Sequence, residues 1–409
     1  NTSTTGVADI TITDGTFTEN QGDGIHNQGE TDATITIDTG EFTGNIGDGI
    51  ENTSTTGVAD ITITDGTFTN NEGDGIHNQG ETDATITIGS GEFTGNQGDG
   101  IENTSATGVA DITITDGTFT NNEGDGIHNQ GETDATITIG SGEFTGNQGD
   151  GIENTSTTGA ADITITDGTF TNNEGDGIHN QGNDDATITI GSGEFTGNQG
   201  DGIENTSTTG AADITITNGT FTNNIGDGIH NEGNTEANIT IENEGLFESN
   251  QGDGIENISN GTSEITVNNS DFISNQGDGI HNESVGNSKI TVTDSEFQGN
   301  GGDGIENITT GDGNVTITIE NTDIIDHGSG YGVYNESNNN VVIDVDNSHI
   351  NENLQGGIHN TTTGEANIII DNSQLNDNAS AGDGGALYSE SSGASNITIE
   401  NSEFHNNTA

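Results

Sequence analysis

Residues 8–27 read ADITITDGTFTENQGDGIHN, and residues 33–52 read ATITIDTGEFTGNIGDGIEN. Thirteen residues keep their places in both stretches, 25 positions apart, while seven differ; Ala, Ile, Ile, Phe, Asn, Ile and Asn are among those kept. In Ala-x-Ile-x-Ile, apolar and polar residues alternate, which is the period of a β-strand with one buried face. Neither stretch is long enough to bury its own apolar residues, so successive copies must stack.

The motif Gly-Asp-Gly-Ile carries this pattern along the chain at intervals of 25 or 26 residues. Its last residue is Ile25, Ile50, Ile76, Ile101, Ile127, Ile152, Ile178, Ile203, Ile229, Ile255, Ile280 and Ile305, and weaker copies end at Val333, Ile358 and Leu387. Segments rich in Ile and Thr favour strands, and the Gly, Asn, Asp and Ser between them favour tight turns. We therefore predict an all-β parallel solenoid of about sixteen coils, with three strands per coil and a coil spacing of about 4.8 Å.

Stacked coils place identical residues above one another in columns. One predicted column contains Asn27, Asn52, Asn78 and Asn103, and another contains Phe17, Phe42, Phe68 and Phe93. Stacked amides can hydrogen-bond along such a column, as they do in cross-β assemblies. The alternative is ordinary turn chemistry; we favour a ladder because nearly every coil keeps its Asn residues.

Composition excludes several partners. The chain of 409 residues has a net charge of -68, contains Lys289 as its one Lys or Arg, and has no Cys. Low hydrophobicity with high charge is typical of disorder, but the strict spacing argues against it. Without clustered basic residues, the chain should bind neither nucleic acid nor an anionic membrane. It has no signal peptide and begins at Asn1, so we expect a processed chain or a fragment.

The chain is expected to form one domain, residues 1–409. Residues 1–230 are nearly exact 51-residue repeats of two coils each, and residues 231–409 hold diverged coils. Irregular insertions fall near Asp326 to Tyr334 and Asn376 to Asp383. Insertions on one side of a solenoid are where binding is expected.

Aspartate occupies the second position of every complete Gly-Asp-Gly-Ile motif. Neighbouring carboxylates at about 4.8 Å repel by roughly 1 kcal/mol in water. Bound cations, external salt or turn amides would offset this repulsion. Carboxylate oxygens suit Ca²⁺, so the row is a candidate calcium site, although the nine-residue calcium-binding repeat Gly-Gly-x-Gly-x-Asp does not recur here. The other interpretation is that each Asp caps turn N–H groups. The row contains Asp23, Asp48, Asp74, Asp99, Asp125, Asp150, Asp176, Asp201, Asp227, Asp253, Asp278 and Asp303.

After each of these Ile residues, His and Glu alternate from His26 and Glu51 to His281 and Glu306. Opposite charges on neighbouring strands stabilise a sheet. We predict a hydrogen-bonded ladder rather than a transition-metal site, because successive His would lie roughly 10 Å apart.

The coil resembles the repeats of right-handed parallel β-helix proteins. The pairs Phe17 to Asn20 and Phe297 to Asn300, with Gly-Asp-Gly-Ile and residues 384–387 (Gly-Gly-Ala-Leu), resemble the two short motifs of chlamydial polymorphic membrane proteins. This resemblance covers almost the whole chain. It implies a right-handed, single-stranded β-helix and a surface adhesin.

Three functions remain open on the sequence. We expect an extracellular structural protein whose copies join head to tail, since no polar capping segment is recognisable at either end. The alternative is a surface adhesin that binds a host, a cell or a carbohydrate. A polysaccharide-degrading enzyme is the third; we interpret its best irregular spot, Asp323, Asp326, His327, Tyr331 and Tyr334, as a loop insertion rather than a site. Asn-x-Ser/Thr sequons, among them Asn52, Asn103, Asn314 and Asn396, predict N-glycans where they are accessible.

Overall fold

The computed structural model describes residues 1–382 and 384–409, so Asp383, at the end of the second expected insertion, lies outside the described residues. Every regular element in the described residues is a β-strand, and none of them forms a helix long and apolar enough to cross a membrane. The strands are β1 Ala8–Thr18, β2 Ile25–Gly29, β3 Ala33–Thr43, β4 Ile50–Ser54, β5 Ala59–Thr69, β6 Ile76–Gly80, β7 Ala84–Thr94, β8 Ile101–Ser105, β9 Val109–Thr120, β10 Ile127–Gly131, β11 Asp134–Thr145, β12 Ile152–Ser156, β13 Ala161–Thr171, β14 Ile178–Gly182, β15 Ala186–Thr196, β16 Ile203–Ser207, β17 Ala211–Thr222, β18 Ile229–Gly233, β19 Glu236–Ile241, β20 Gly245–Glu248, β21 Ile255–Ser259, β22 Thr262–Asn268, β23 Asp271–Ile273, β24 Ile280–Ser284, β25 Ser288–Thr293, β26 Glu296–Gln298, β27 Ile305–Thr309, β28 Val315–Glu320, β29 Asp323–Ile325, β30 Tyr331–Ser337, β31 Val341–Asp346, β32 His349–Asn351, β33 Gly356–Thr362, β34 Ala366–Asp371, β35 Gln374–Asn376, β36 Leu387–Ser391, β37 Ser395–Glu400 and β38 Glu403–His405.

The chain forms two compact units, residues 1–200 with 204–208, and residues 201–203 with 209–409. In the first unit, each coil contains one long and one short strand, and each strand pairs in parallel with its counterpart in the next coil. The register places like on like, for example Ile10 opposite Ile35 and Phe17 opposite Phe42. Among the described residues, fifteen coils carry the short strand, close to the sixteen predicted. The prediction of a parallel β-solenoid is confirmed.

The number of strands per coil differs from the prediction in the first unit. There, the segments with Ile-x-Ile and with Phe run on as one strand of 11 or 12 residues. The ladder continues through the bend because Gly15 pairs with Gly40, and only Thr13 and Asp38 drop out of it. In the second unit, most coils have the three predicted strands, as in β19, β20 and β21.

The interior of the first unit consists of columns of identical side chains. Ala33, Ile35, Ile37, Phe42 and Ile50, the apolar residues of one coil, are at most 1% exposed. From Phe17 to Phe195, successive rings stack with centroids 4.7–5.0 Å apart and planes within 3°. Each buried Ile or Phe contributes roughly 1.5–3 kcal/mol. A chain that is 25% hydrophobic can fold because most of its apolar residues are buried in these columns.

The predicted column of Asn27, Asn52, Asn78 and Asn103 lies inside as well. Asn27 donates from Nδ2 to Oδ1 of Asn52 at 2.8 Å, Asn52 donates to Asn78, and Asn78 donates to Asn103 at the same distance. The same Nδ2 groups also donate to backbone carbonyls of the neighbouring long strands, as Asn78 does to Ala59 at 3.0 Å. These amides therefore connect the coils through the core and also tie the short strands to the long ones.

Close packing explains both glycines of the Gly-Asp-Gly-Ile motif. A Cβ on Gly49 would lie 2.5 Å from the carbonyl oxygen of Gly75 and 2.8 Å from the ring of Phe68. A Cβ on Gly47 would lie 1.9 Å from the carboxylate of Asp23. Real Cβ atoms do not approach this closely, so neither position accepts a side chain without movement of the backbone.

The second unit keeps the same interior with less uniform residues. Rings from Phe221 to Phe297 stack at 4.5–4.8 Å. Ile324, Ile350 and Leu375 then continue this position and are fully buried. The core therefore tolerates a change from an aromatic to an aliphatic residue when neighbouring coils change together.

Candidate functional site

The aspartate row lies at the turn before each short strand, and its carboxylates bind backbone amides. In the first unit, the N–H of each Asp donates to Oδ1 of the Asp one coil earlier, at 2.7–3.0 Å from Asp23 to Asp176. In the second unit the same bond joins successive residues from Asp201 to Asp303. Binding to turn amides was one of the expected ways to offset the repulsion between neighbouring carboxylates, and these bonds provide it.

The other carboxylate oxygen lies beside the histidine–glutamate row. Nδ1 of His77 is 3.5 Å from Oδ2 of Asp74 in its own coil and 2.7 Å from Oε2 of Glu102 in the next. These hydrogen bonds, to Asp74 and then to Glu102, outweigh partial burial and raise the pKa of His77 to about 10. The same arrangement recurs at His26, His128, His179, His230 and His281. Burial opposes the charge of His128, His230 and His281, but hydrogen bonds to the neighbouring Asp and Glu raise the pKa of each to about 11. These three residues and His77 are therefore cations that lie between two carboxylates.

Aspartates in the coils that carry Glu have a different environment. Burial disfavours the charge of Asp99, and repulsion from Asp125 adds to it, so the pKa of Asp99 rises to about 7. Burial likewise raises the pKa of Asp48 to about 6. Glu153, by contrast, has its pKa lowered to about 2, chiefly by its hydrogen bond to His128. Burial thus raises the pKa of aspartates on the row, whereas histidine lowers the pKa of Glu153 beside it.

Groups of carboxylates and histidine recur along the aspartate row, where calcium was predicted. Ligand atoms of Asp48, Asp74 and His77 lie within 4.8 Å of one another, and equivalent groups recur along the row. A divalent cation there would have carboxylate oxygens within reach, but these oxygens already bind turn amides or lie beside histidine. Calcium on the aspartate row stays a prediction.

The structure distributes the five residues of the irregular spot over three places. Asp323 binds His349 at 2.7 Å on an outer face, where with Asp326 and Glu352 it lines a cavity of about 320 Å³. His327 is fully buried and stands where neighbouring coils have Asn300 and Asn353. Neither ring nitrogen of His327 has a hydrogen-bond partner in the part of the chain that the structure describes, and burial lowers the pKa of His327 to about 4.

Tyr331 and Tyr334, the remaining two, belong to a patch that the sequence analysis missed. Tyr334 stacks on His359 at 5.3 Å, and His359 stacks on Tyr388 at 4.7 Å. Tyr331 lies 4.8 Å from His359 at a tilt of 45°. This tyrosine patch (Tyr331, Tyr334, His359, Tyr388) holds all three tyrosines of the chain. Alignment with the histidine–glutamate row would have revealed it, since Tyr334, His359 and Tyr388 follow Glu306 in register.

The sequons divide by burial. Asn52, Asn103, Asn154, Asn205, Asn307 and Asn360 are fully buried and cannot carry a glycan in the folded chain. Asn314 and Asn396 are exposed. Glycosylation is therefore compatible with the fold at these two positions.

Comparison with known proteins identifies the family. The family model described as a right-handed β-helix region matches residues 2–162 and 156–318, which together are more than half of the chain. This chain belongs to the right-handed β-helix family. The match supplies the handedness that the sequence analysis took from resemblance. No curated protein and no solved structure matches this right-handed β-helix chain.

Proposed function

We propose that this right-handed β-helix is an extracellular structural protein whose copies stack coil on coil into a cell-surface filament or stalk. One observation carries the proposal: the pairing between coils is the same wherever the described ladders run. Ile35 lies opposite Ile61 in the first unit, as Ile343 lies opposite Ile368 in the second. Successive coils therefore present backbone groups in the same parallel register, and a coil of a second copy could pair in that register too.

Stacking between copies would use groups that the fold already pairs within one chain. An open strand edge presents N–H and C=O groups that a second strand can bind, and stacked Asn and aromatic columns add to this pairing. Ile397 and Ile399 of β37 lie opposite the buried Ile368 and Ile370 of the coil before, and so continue the same columns. A coil of a second copy that paired in this register would extend these columns.

Composition supports an extracellular location and limits the partners. A net charge of -68 keeps individual molecules soluble and repels nucleic acid and anionic membranes. Exposed Asn314 and Asn396 would accept N-glycans in a secretory pathway. The partners we propose are copies of the same chain and a cell surface or its glycans.

Sedimentation velocity and negative-stain imaging at rising protein concentration test the assembly. We expect species longer than one chain, and we expect Ile397→Lys with Ile399→Lys to abolish them by placing charges in the stacking surface. Thr398→Lys, on the outward side of the same strand, is the matched control and should assemble normally. Single molecules at every concentration in the unsubstituted chain would refute the proposal.

A surface adhesin is the second candidate, and the tyrosine patch favours it. Tyr is enriched where proteins bind partners, and here the patch lies in the coils where the regular row of charges ends. The resemblance to chlamydial polymorphic membrane proteins, which are surface adhesins, points the same way. Beads coated with the chain should adhere to host cells, and Tyr334→Thr with Tyr388→Thr should abolish adhesion if this candidate is right.

We propose no catalytic role. In the first unit the carboxylates recur coil after coil, whereas an active site is a local departure from a repeat. In the second unit, Asp323, His327 and Tyr334 lie on an outer face, in the core and in the tyrosine patch, respectively. Glycoside hydrolysis needs two carboxyl groups at a defined separation. Release of reducing ends from neutral polysaccharides would contradict this part of the proposal.

A further inference from the structure

Two exposed glutamates lie beside the tyrosine patch on the same short strands. Glu336 follows Tyr334 by two residues on β30, and the hydroxyl of Tyr334 donates to Oε2 of Glu336 at 3.0 Å. Glu390 follows Tyr388 in the same way on β36, where the hydroxyl of Tyr388 donates to Oε2 of Glu390 at 2.7 Å. Each of these tyrosines therefore holds a carboxylate beside its ring.

Neither carboxylate has a Lys or Arg of this chain to pair with. The one such residue, Lys289, donates to Glu264 at 2.6 Å. The hydrogen bonds that Glu336 and Glu390 accept come from phenols, which do not neutralise the charge of a carboxylate. A carboxylate has about four lone-pair sites, so each of these two glutamates can accept an arginine side chain as well.

A second copy of this chain cannot supply the basic residues, because the chain contains no Arg, no Pro and one Lys. Tyr and Arg are both enriched in protein interfaces, where guanidinium groups pair with carboxylates and pack against aromatic rings. The net charge of -68 attracts a basic protein and repels nucleic acid. The partner that fits the patch is therefore a basic segment of a different protein.

The register fixes the spacing of the two glutamates. Glu336 lies opposite Thr361, and Thr361 lies opposite Glu390, so the glutamates are two coils, or about 10 Å, apart. In a polyproline II helix, every third residue returns to the same face after about 9 Å. In an extended strand, alternate residues share a face at about 7 Å. The spacing therefore favours a polyproline II segment with basic residues three positions apart.

We propose that the tyrosine patch, together with Glu336 and Glu390, binds a basic, proline-rich segment of another protein in the polyproline II conformation. Two arginines of that segment, three positions apart, pair with the two glutamates, and the prolines between them pack along the rings. Proline-rich segments are pre-formed in this conformation, and aromatic surfaces recognise them in other proteins. The site rests on the second candidate function, the surface adhesin, and gives the chemistry of the adhesin's partner.

Fluorescence anisotropy with the full chain and labelled synthetic peptides measures this binding. The test peptide carries Arg-Pro-Pro-Arg between flanking prolines, and a second peptide of equal charge and length carries Arg-Pro-Arg. We expect the test peptide to bind at submillimolar concentration. The second peptide should bind about tenfold more weakly, because the loss of one charge-assisted contact costs at least this factor.

Two variants remove the two parts of the site. Glu336→Gln with Glu390→Gln removes the carboxylates and should weaken binding of the test peptide about tenfold or more. Tyr334→Thr with Tyr388→Thr removes two of the rings and should weaken binding as well. Circular dichroism of each variant should match that of the unsubstituted chain, because all four side chains point outward.

The matched control is Glu41→Gln with Glu92→Gln in the first unit. These two glutamates are exposed and lie two coils apart with Thr67 between them, so they share the spacing of the glutamates beside the tyrosine patch. The control removes the same charge from the chain, and its affinity for the test peptide should stay within twofold of the unsubstituted chain.

The proposal is overturned if the test peptide does not bind at millimolar concentration or if the Arg-Pro-Arg peptide binds equally well. It is also overturned if the control variant loses as much affinity as the glutamate variant of the patch, since general attraction between charges would then explain the binding. Beads that adhere to host cells while the test peptide fails to bind would overturn this partner and leave the adhesin candidate standing.

Discussion

Replacing one buried asparagine should loosen the solenoid locally and by a large amount. Asn103 accepts a hydrogen bond from Nδ2 of Asn78 at 2.8 Å and donates to Oδ1 of Asn129 at 2.8 Å and to the carbonyl of Ala84 at 3.1 Å. In Asn103→Ala, three buried groups lose a partner. Each unsatisfied group costs about 1–3 kcal/mol, so even at the lower limit the loss is about 3 kcal/mol.

Because contacts in a solenoid are made between neighbouring coils, we expect the loss to be local. Native-state hydrogen exchange with mass spectrometry measures it: amides of Ile101–Ser105 and of the coils on either side should exchange roughly a hundredfold faster or more. Amides of Ile178–Gly182, three coils away, should be unchanged. Thr113→Ala, at an exposed outward position, is the control and should change exchange by about 0.5 kcal/mol or less.

A change below about 1 kcal/mol at Ile101–Ser105 would refute the reasoning, because the asparagine amides would then contribute no more than surface residues. An equally large change across all coils would refute the locality of the effect. It would mean that the first unit opens as one cooperative body.

Three further predictions follow from the same contacts. Gly49→Ala should lower the melting temperature, because overpacking of this kind costs about 1–3 kcal/mol. Gly22→Ala is the control and should not lower it, because no atom of the described residues lies within 4 Å of the added Cβ. Equal melting temperatures for the two variants would contradict the packing argument. Stability should fall as pH rises, because the pKa of Asp99 is raised to about 7 and that of His128 to about 11, so folding takes up protons. The stability that Asp99 contributes is lost between about pH 4 and 7. The stability that His128 contributes is lost between about pH 6.5 and 11. At the acid end, the lowered pKa of Glu153, about 2, adds stability that is lost below about pH 4.5. The melting temperature should therefore be highest in mild acid. A melting temperature that rises from pH 6 to 10 would be inconsistent with this. If calcium binds the aspartate row, calcium should raise the melting temperature relative to EDTA at equal ionic strength, and superimposable curves would exclude a specific site.

The interior could be predicted from sequence because stacking forces identical residues together. A column such as Phe17, Phe42 and Phe68 follows from the 25-residue spacing once coils are assumed to pile up, and the structure places these rings in contact. The reason for each glycine was not predictable, because the clash of Gly49 with Gly75 depends on how closely adjacent coils approach. Nor did the spacing show that Gly15 and Gly40 pair through the bend and merge two expected strands.

The candidate sites were less predictable, since they depend on where side chains point within a coil. The aspartate row was visible in the sequence, but its bond to the amide one coil away was one of several possibilities. The sequence placed His327 in an irregular insertion, yet the backbone carries its side chain into the core. The tyrosine patch was missed because its residues are 54 positions apart at Tyr334 and Tyr388, and only coil alignment brings them together.

The central claim is that residues 25 or 26 positions apart lie opposite each other in parallel coils. Because the chain has no cysteine, engineered cysteines report on this directly. Thr62 lies opposite Thr87, and Thr87 lies opposite Thr113. A disulfide requires Cα atoms about 4.4–6.8 Å apart, a distance met by adjacent coils and not by coils two steps apart at about 10 Å. Under mild oxidation, mass spectrometry should find the disulfide in Thr62→Cys with Thr87→Cys and not in Thr62→Cys with Thr113→Cys; equal yields for the two pairs would contradict the account.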